Sequence, residues 1–111
     1  MKVVINRCFG GFGLSDEAHR ELGSEFEESD FALAGGGYWT LTGDLAEFDN
    51  WSMDMKFRTH PRLVDVVERL GHRANGRFAD LGIVEIPDDA INPRIDEYDG
   101  NESVTEGREW R

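Results

Sequence analysis

Two short runs of apolar, β-branched residues predict strands near the two ends of the chain. Residues 2–6 predict an inner strand, and residues 81–86 predict a second strand. Proline cannot donate a ladder hydrogen bond, so Pro87 is expected to close the second strand.

A helical repeat of apolar residues predicts a core-facing helix between those strands. The positions that follow this spacing are Leu63, Val66, Val67, Leu70 and Ala74. Thr59 or His60 is expected to cap the helix, and Pro61 suits its first turn. Asn75-Gly76 is expected to end it.

A shorter helix is predicted directly after the first strand. Ser15 suits its N-cap, and Asp16 and Glu17 suit the positive end of the helix dipole. Gly23 is expected to end this helix, which therefore covers residues 15–22.

The C-terminal part of the chain predicts a β-hairpin. Residues 94–98 and 101–106 flank Asp99-Gly100, and an Asp-Gly dipeptide between two β-capable runs is a strong hairpin signal. A two-residue turn then sets the register, with the facing pairs Tyr98 and Asn101, Glu97 and Glu102, and Ile95 and Val104.

The facing pair of Glu97 and Glu102 needs a separate explanation. Two carboxylates directly opposite each other repel, so both are expected to splay into solvent. If a cation lies near them instead, Arg94 or Arg108 is expected to supply it.

The middle of the chain is less informative. Residues 25–30 are acidic and predict a solvated loop or an exposed helix end, and residues 31–42 predict a loop that leads into a strand. Residues 43–58 predict no regular element. Tyr38 and Trp39 are either core residues or rings that face a ligand, and packing in the core is the expectation.

Together these elements predict an α+β fold in a single domain over residues 1–111. It comprises a small, mostly antiparallel sheet, two helices and a C-terminal β-hairpin. A lone two-stranded hairpin is only marginally stable, so the hairpin is expected to project and to pack against another subunit. A homo-oligomer is therefore expected.

Charge and composition restrict the partners. With 12 basic and 23 acidic residues, the net charge of −11 should repel bulk nucleic acid and anionic membranes, but it suits a basic protein partner or mimicry of a nucleic-acid surface. No apolar run is long enough to span a membrane and no secretory leader is evident, so an intracellular location is expected.

The sequence offers little for catalysis. Cys8 is the single cysteine, which rules out an internal disulfide and a cysteine-based zinc site within one chain. His19, His60 and His72 follow no metal-ligand spacing, and no motif pairs any of them with Cys8. We therefore expect no catalytic residue, no metal and no cofactor, and the protein is not expected to be an enzyme.

The glycine-rich segment between the first strand and the first helix supports two interpretations. Gly10, Gly11 and Gly13 can form a tight turn with positive φ at one or more positions. They can also form a cradle whose N–H groups bind an anion beside a helix N-terminus, although neither P-loop nor Rossmann spacing matches. Phe9 and Phe12 favour the cradle slightly, because an exposed ring is a stacking platform for a base.

The C-terminal residues add one more candidate. Trp110 is expected to dock on the body of the protein or on a neighbouring subunit, and thereby to hold Arg108 in place. A fixed arginine serves equally as a phosphate clamp or as the partner of a carboxylate, and both roles stay open for Arg108.

Three stretches of the chain resemble a widespread family of small bacteriophage and prophage proteins. They are residues 2–15, residues 74–79 with 83–87, and residues 95–100 followed by Glu102, Arg108 and Trp110. The chain is also similar to the first type of Thoeris anti-defence proteins, which sequester cyclic nucleotide signals of bacterial immune systems without cleaving them. Residues 24–58 have no counterpart in this resemblance.

The resemblance implies a phage anti-defence protein in the cytoplasm of the infected bacterial host. It implies a homo-oligomer with ligand sites near subunit interfaces, and it carries over the glycine turn and Arg108. The expected ligand-binding residues are Phe9, Gly10, Gly11, Phe12, Gly13, Ser15, Arg108 and Trp110. The alternative function is an acidic inhibitor that binds a host defence protein, for example a CRISPR-type one, by surface or nucleic-acid mimicry.

Overall fold

Helices and short antiparallel strands make up the α+β architecture that the sequence predicts. The computed structural model describes residues 1–28 and 37–111. The elements are β1 (Lys2–Asn6), α1 (Asp16–Glu21), β2 (Glu25–Glu28), β3 (Gly37–Thr40), α2 (Met55–Arg58), α3 (Pro61–Leu70), β4 (Leu81–Glu85), β5 (Arg94–Tyr98), β6 (Asn101–Thr105) and β7 (Glu109–Trp110).

The described strands form three small antiparallel sheets where one was expected. β1 pairs with β4, β2 pairs with β3, and β5, β6 and β7 form the third sheet in that order. Between β1 and β6, the Asn6 amide donates to the Glu102 carboxylate at 2.7 Å. A side chain takes the place of a backbone carbonyl there, so the hairpin joins β1 without a continuous ladder.

β1 separates two apolar clusters, because alternate residues of a strand point to opposite faces. Val4 faces the cluster that holds α1 and α3. Val3 and Ile5 face the cluster formed with β4 and the hairpin. Burial on both faces confirms the prediction of an inner strand.

Both predicted helices are present, but the longer one ends early. Ser15 caps α1 by accepting a hydrogen bond from the Ala18 amide, and His60 caps α3 through the Arg62 amide. The prediction that α3 ends at Asn75-Gly76 is wrong. Gly71 has a φ of 57°, which stops the α-helix, and a 3-10 turn follows over Gly71–Ala74.

The middle of the chain departs further from the predictions. β2 replaces the expected loop or helix end at residues 25–28, and all of its side chains are exposed, so no apolar alternation marked it. Residues 29–36, which belong to two predicted segments, lie outside the described residues. α2 is a third helix of one turn, capped by Asp54. Among the described helices, none has the length and apolar character to cross a membrane.

The hairpin has the predicted register, with Tyr98 opposite Asn101 and Glu97 opposite Glu102. The expectation that it projects is wrong. β7 adds a third strand, and the inner face of this sheet packs against β1 and β4 of the same chain. Trp110 is half-buried in that cluster, which confirms that it docks on the body.

Candidate ligand-binding site

The glycine segment, residues 9–13, packs closely against residues 76–78. The Gly11 amide donates to the Phe78 carbonyl at 3.0 Å, and the Gly76 amide donates to the Gly13 carbonyl at 2.9 Å. A Cβ atom at Gly10 would overlap the Phe78 carbonyl oxygen. None of the three glycines of the segment has a positive φ, so the expected left-handed turn is wrong; close backbone approach is what requires glycine at position 10.

Hydrogen bonds within the chain occupy several of the donors that an anion cradle at α1 would use. The Ser15 amide donates to the Ala74 carbonyl at 2.9 Å, and the Ser15 hydroxyl donates to the Arg73 carbonyl at 2.5 Å while it caps α1. The Gly11 amide is also paired. The Gly11 and Ser15 amides are therefore not available to an anion beside the glycine segment.

An open cleft of about 480 Å³ lies beside the glycine segment. We call it the glycine cleft; it is lined by residues 10–14, residues 50–51 and residues 76–78. Its volume lies within the usual range for small-molecule sites. The rings of Trp51 and Phe78 are 64% and 70% exposed, so both offer open faces to a planar ligand.

Arg77 carries the only charge among the described residues that line the glycine cleft. Its guanidinium carbon lies 5.4 Å from the centroid of the Phe78 ring. Within the described part of the chain, no carboxylate approaches Arg77 within salt-bridge distance. The cleft is thus locally positive in a protein whose net charge is −11.

Phe12, one of the residues that line the cleft, packs on a buried ion pair. The guanidinium carbon of Arg58 lies 3.7 Å from the centroid of the Phe12 ring. Arg58 is fully buried and donates to both Glu102 oxygens, at 2.6 and 2.8 Å. It also donates to the Val4 carbonyl at 3.1 Å and to the Ser52 carbonyl at 2.8 Å.

This ion pair corrects the expectation for the facing glutamates. Glu102 is buried rather than splayed into solvent, and its cation is Arg58 rather than Arg94 or Arg108. The strand alternation turns Glu102 toward β1, and α2, which the sequence did not reveal, brings the arginine. Glu97 stays exposed and accepts a hydrogen bond from the Gly100 amide at 2.6 Å.

The turn of the hairpin packs against the glycine segment. The Asn6 side-chain amide donates to the carbonyls of Cys8 and Gly100, at 3.0 and 2.7 Å. Gly100 has a φ of 87°, and a Cβ atom there would meet the backbone of Gly10. The Cys8 thiol donates to the Phe78 carbonyl at 3.3 Å. The position of the segment is therefore fixed on two sides.

His19 positions another residue of the cleft. Its Nε2 lies 3.0 Å from the side-chain nitrogen of Asn50, and its Nδ1 lies 3.1 Å from the Ser24 hydroxyl. Its ring stacks on Trp39 at 5.3 Å. Burial lowers the pKa of His19 to about 4, and the Asp16 carboxylate opposes that shift. The imidazole is therefore neutral at pH 7.

The expectation that Tyr38 and Trp39 both pack in the core is wrong. Trp39 is partly exposed and packs on His19, whereas Tyr38 is exposed and donates a hydrogen bond to Glu27. The expectation for Tyr38 is wrong because β3 lies in a two-stranded sheet whose residues are largely exposed.

The structure brings together only part of the predicted ligand-binding set. Gly10, Gly11, Phe12 and Gly13 line the glycine cleft, and Ser15 is an N-cap. The other three residues lie elsewhere.

Arg108 and Trp110 do not line this cleft. Arg108 donates to Glu106 at 3.0 Å and lies 4.9 Å from the Trp110 ring, so it has the carboxylate partner that was one of its two expected roles. Phe9 turns away from the cleft and meets Tyr98 edge-to-face.

The predicted ligand-binding set omits six residues of the cleft lining: Leu14, Asn50, Trp51, Gly76, Arg77 and Phe78. Asn50 and Trp51 follow no periodic pattern, and nothing in the sequence indicates that they face the glycine segment. Arg77 and Phe78 fall within a stretch that carries the family resemblance, which was the available signal.

Within residues 1–28 and 37–111, no three side chains of the types His, Cys, Asp and Glu converge as metal ligands. No protein-family model matches the chain, and neither a curated protein nor a solved structure matches it. The site geometry is therefore the main support for a function.

Proposed function

We propose that this protein binds a cyclic nucleotide-type signal in the glycine cleft and sequesters it without cleaving it, as a phage anti-defence protein in the cytoplasm of the infected host. The observation that carries the proposal is the composition of the cleft. The lining combines two exposed aromatic rings with one arginine that has no carboxylate partner among the described residues.

Each part of a nucleotide has a matching group in the cleft. A base stacks on Trp51 or Phe78, and such stacking tolerates any base because every base has a π-face. A phosphate pairs with the planar guanidinium of Arg77. The Asn50 amide can donate to and accept from a base edge.

The described lining also favours capture over turnover. It supplies no carboxylate, imidazole or thiol that could act as a general base or nucleophile beside a bound phosphate. A ligand held there by stacking and one ion pair keeps its covalent structure.

The test is native mass spectrometry and calorimetry with cyclic AMP, cyclic di-AMP and cyclic di-GMP. We expect at least one to bind and to be recovered with its original mass after heat denaturation. Arg77→Gln should weaken binding by about 10- to 150-fold, since a charge-assisted contact contributes about 1.5–3 kcal/mol. Arg20→Gln makes the same change of charge at an exposed position of α1 and should leave binding unchanged.

Absence of binding by every compound of the panel would contradict the proposal. Recovery of hydrolysed product above a control without protein would indicate an enzyme instead.

A further inference from the structure

A second surface carries two large aromatic rings that its own chain leaves uncovered. Phe9 and Tyr98 are 70% and 74% exposed, and their rings meet edge-to-face with centroids 6.4 Å apart. Adjacent exposed rings of this kind mark interaction sites more often than isolated ones do. Neither ring lines the glycine cleft.

The two rings border a groove of about 300 Å³ on the outer face of the hairpin sheet, which we call the hairpin groove. The strand alternation that turns Ile95 inward turns Asp96 and Tyr98 outward. Glu97 and Glu109 also line the groove, so its rim is acidic. It shares no lining residue with the glycine cleft.

One guanidinium already lies in this groove. Arg111 lines it and donates to Glu109 at 2.6 Å, with its side chain 74% exposed. Glu102 also lines the groove, and its charge is neutralised by Arg58. The groove therefore accommodates a guanidinium. Arg94 lies 3.8 Å from the Asp96 carboxylate, whereas Glu97 has no cation within salt-bridge distance among the described residues, so Glu97 supplies the excess negative charge beside the aromatic pair.

We propose that the hairpin groove docks an arginine-bearing segment of a partner protein. A guanidinium can stack on the ring of Tyr98 or Phe9 while it donates to a carboxylate, a combination that an ammonium group satisfies less well. A second copy of the chain is a poor occupant, because a two-fold contact would bring the same carboxylates together.

The experiment uses fluorescence anisotropy of labelled hexa-arginine and hexa-lysine peptides with the full chain. Hexa-arginine should bind about 5-fold more tightly than hexa-lysine, as expected for one cation–π contact. The double variant Phe9→Ser, Tyr98→Ser should reduce arginine binding by about the same factor. Ile91→Ser, which removes another exposed apolar side chain, should not change it.

A charge-matched pair separates the groove from the general acidity of the protein. Asp96→Asn with Glu97→Gln should weaken hexa-arginine binding several-fold, while Glu25→Gln with Glu28→Gln removes the same charge from exposed β2 and should have a much smaller effect. Thermal melting identifies any variant that has lost its fold.

Three results would overturn the proposal: no peptide binding, equal loss in the two charge variants, or equal affinity for the two peptides. A fall in molar mass on Phe9→Ser, Tyr98→Ser would assign the surface to a second copy and also overturn it. Nucleotide binding in the glycine cleft should be unchanged in Asp96→Asn with Glu97→Gln, so the two proposals fail independently.

Discussion

Arg58 connects the two surfaces that the proposals use. One face of its guanidinium covers Phe12 in the glycine cleft, and its edge binds Glu102, which lines the hairpin groove. Every buried side-chain polar atom in the described residues has a partner. A buried ion pair of this kind stabilises the fold only as long as both charges are present.

Loss of one partner should therefore destabilise the protein strongly. Arg58→Ala leaves Glu102 as a buried, uncompensated charge, and we expect the free energy of unfolding to fall by about 3–5 kcal/mol. Urea denaturation followed by circular dichroism measures it. The paired replacement Arg58→Met with Glu102→Leu should recover only part of the loss, because it removes the buried charge but leaves the Asn6 amide without its acceptor. A single variant as stable as the parent would contradict the assignment.

His19 should make stability depend on pH. Its pKa is about 4 in the folded protein and near 6.5 when unfolded, so the unfolded state binds the proton more readily. The contribution of neutral His19 to the free energy of unfolding should be complete above pH 6.5. It should fall toward pH 4, by on the order of 2 kcal/mol. Unfolding of the parent and His19→Gln from pH 7 to 4 measures the difference, which isolates His19 from carboxylate titration; parallel pH profiles would contradict the prediction.

At the scale of elements, the glycine segment offers a matched pair of substitutions. Gly10→Ala places a Cβ atom on the Phe78 carbonyl oxygen, and we expect a loss of about 1–3 kcal/mol of stability. Gly11 has open space and no positive φ, so Gly11→Ala should change stability by less than about 0.5 kcal/mol. Thermal melting of both variants measures this, and equal losses would contradict the packing described.

The elements that the sequence predicted correctly are those with a strong local signal. The Asp-Gly turn determined the hairpin register, and the cap and apolar stripe located the start of α3. β2 was missed because its side chains are all exposed, and α2 because a single turn carries no periodicity.

Only the glycine segment of the cleft could be predicted from the sequence, for a related reason. The sequence indicated the glycine segment, but Trp51 and Arg77 reach it through tertiary packing. No spacing rule connects residues that are so far apart along the chain. The assignment of the Glu102 partner failed for the same reason, since Arg58 is 44 positions away.

At the scale of the whole molecule, the self-association expected from the sequence stays a prediction. The expectation arises because a projecting hairpin and Trp110 need a second subunit to cover them. In the structure, the hairpin and Trp110 pack on their own chain. The exposed rings of Trp51 and Phe78 at the cleft rim are the apolar surface that a second subunit could still cover.

We accordingly expect a dimer or larger assembly that involves the cleft rim. Light scattering at micromolar concentration, with and without a bound cyclic nucleotide, measures the mass. Trp51→Ser with Phe78→Ser should shift the mass toward the monomer, whereas Ile91→Ser should not. A monomer mass for the parent in both conditions would contradict self-association.

The proposed function requires that the glycine cleft captures a nucleotide-type ligand intact. Its most direct test is a calorimetric titration of the parent, Arg77→Gln and Arg20→Gln with the cyclic nucleotide panel, followed by the mass of the released ligand. We expect binding by the parent and Arg20→Gln, binding about 10- to 150-fold weaker for Arg77→Gln, and released ligand of unchanged mass. Equal affinity in all three proteins, or release of a cleaved product, would contradict it.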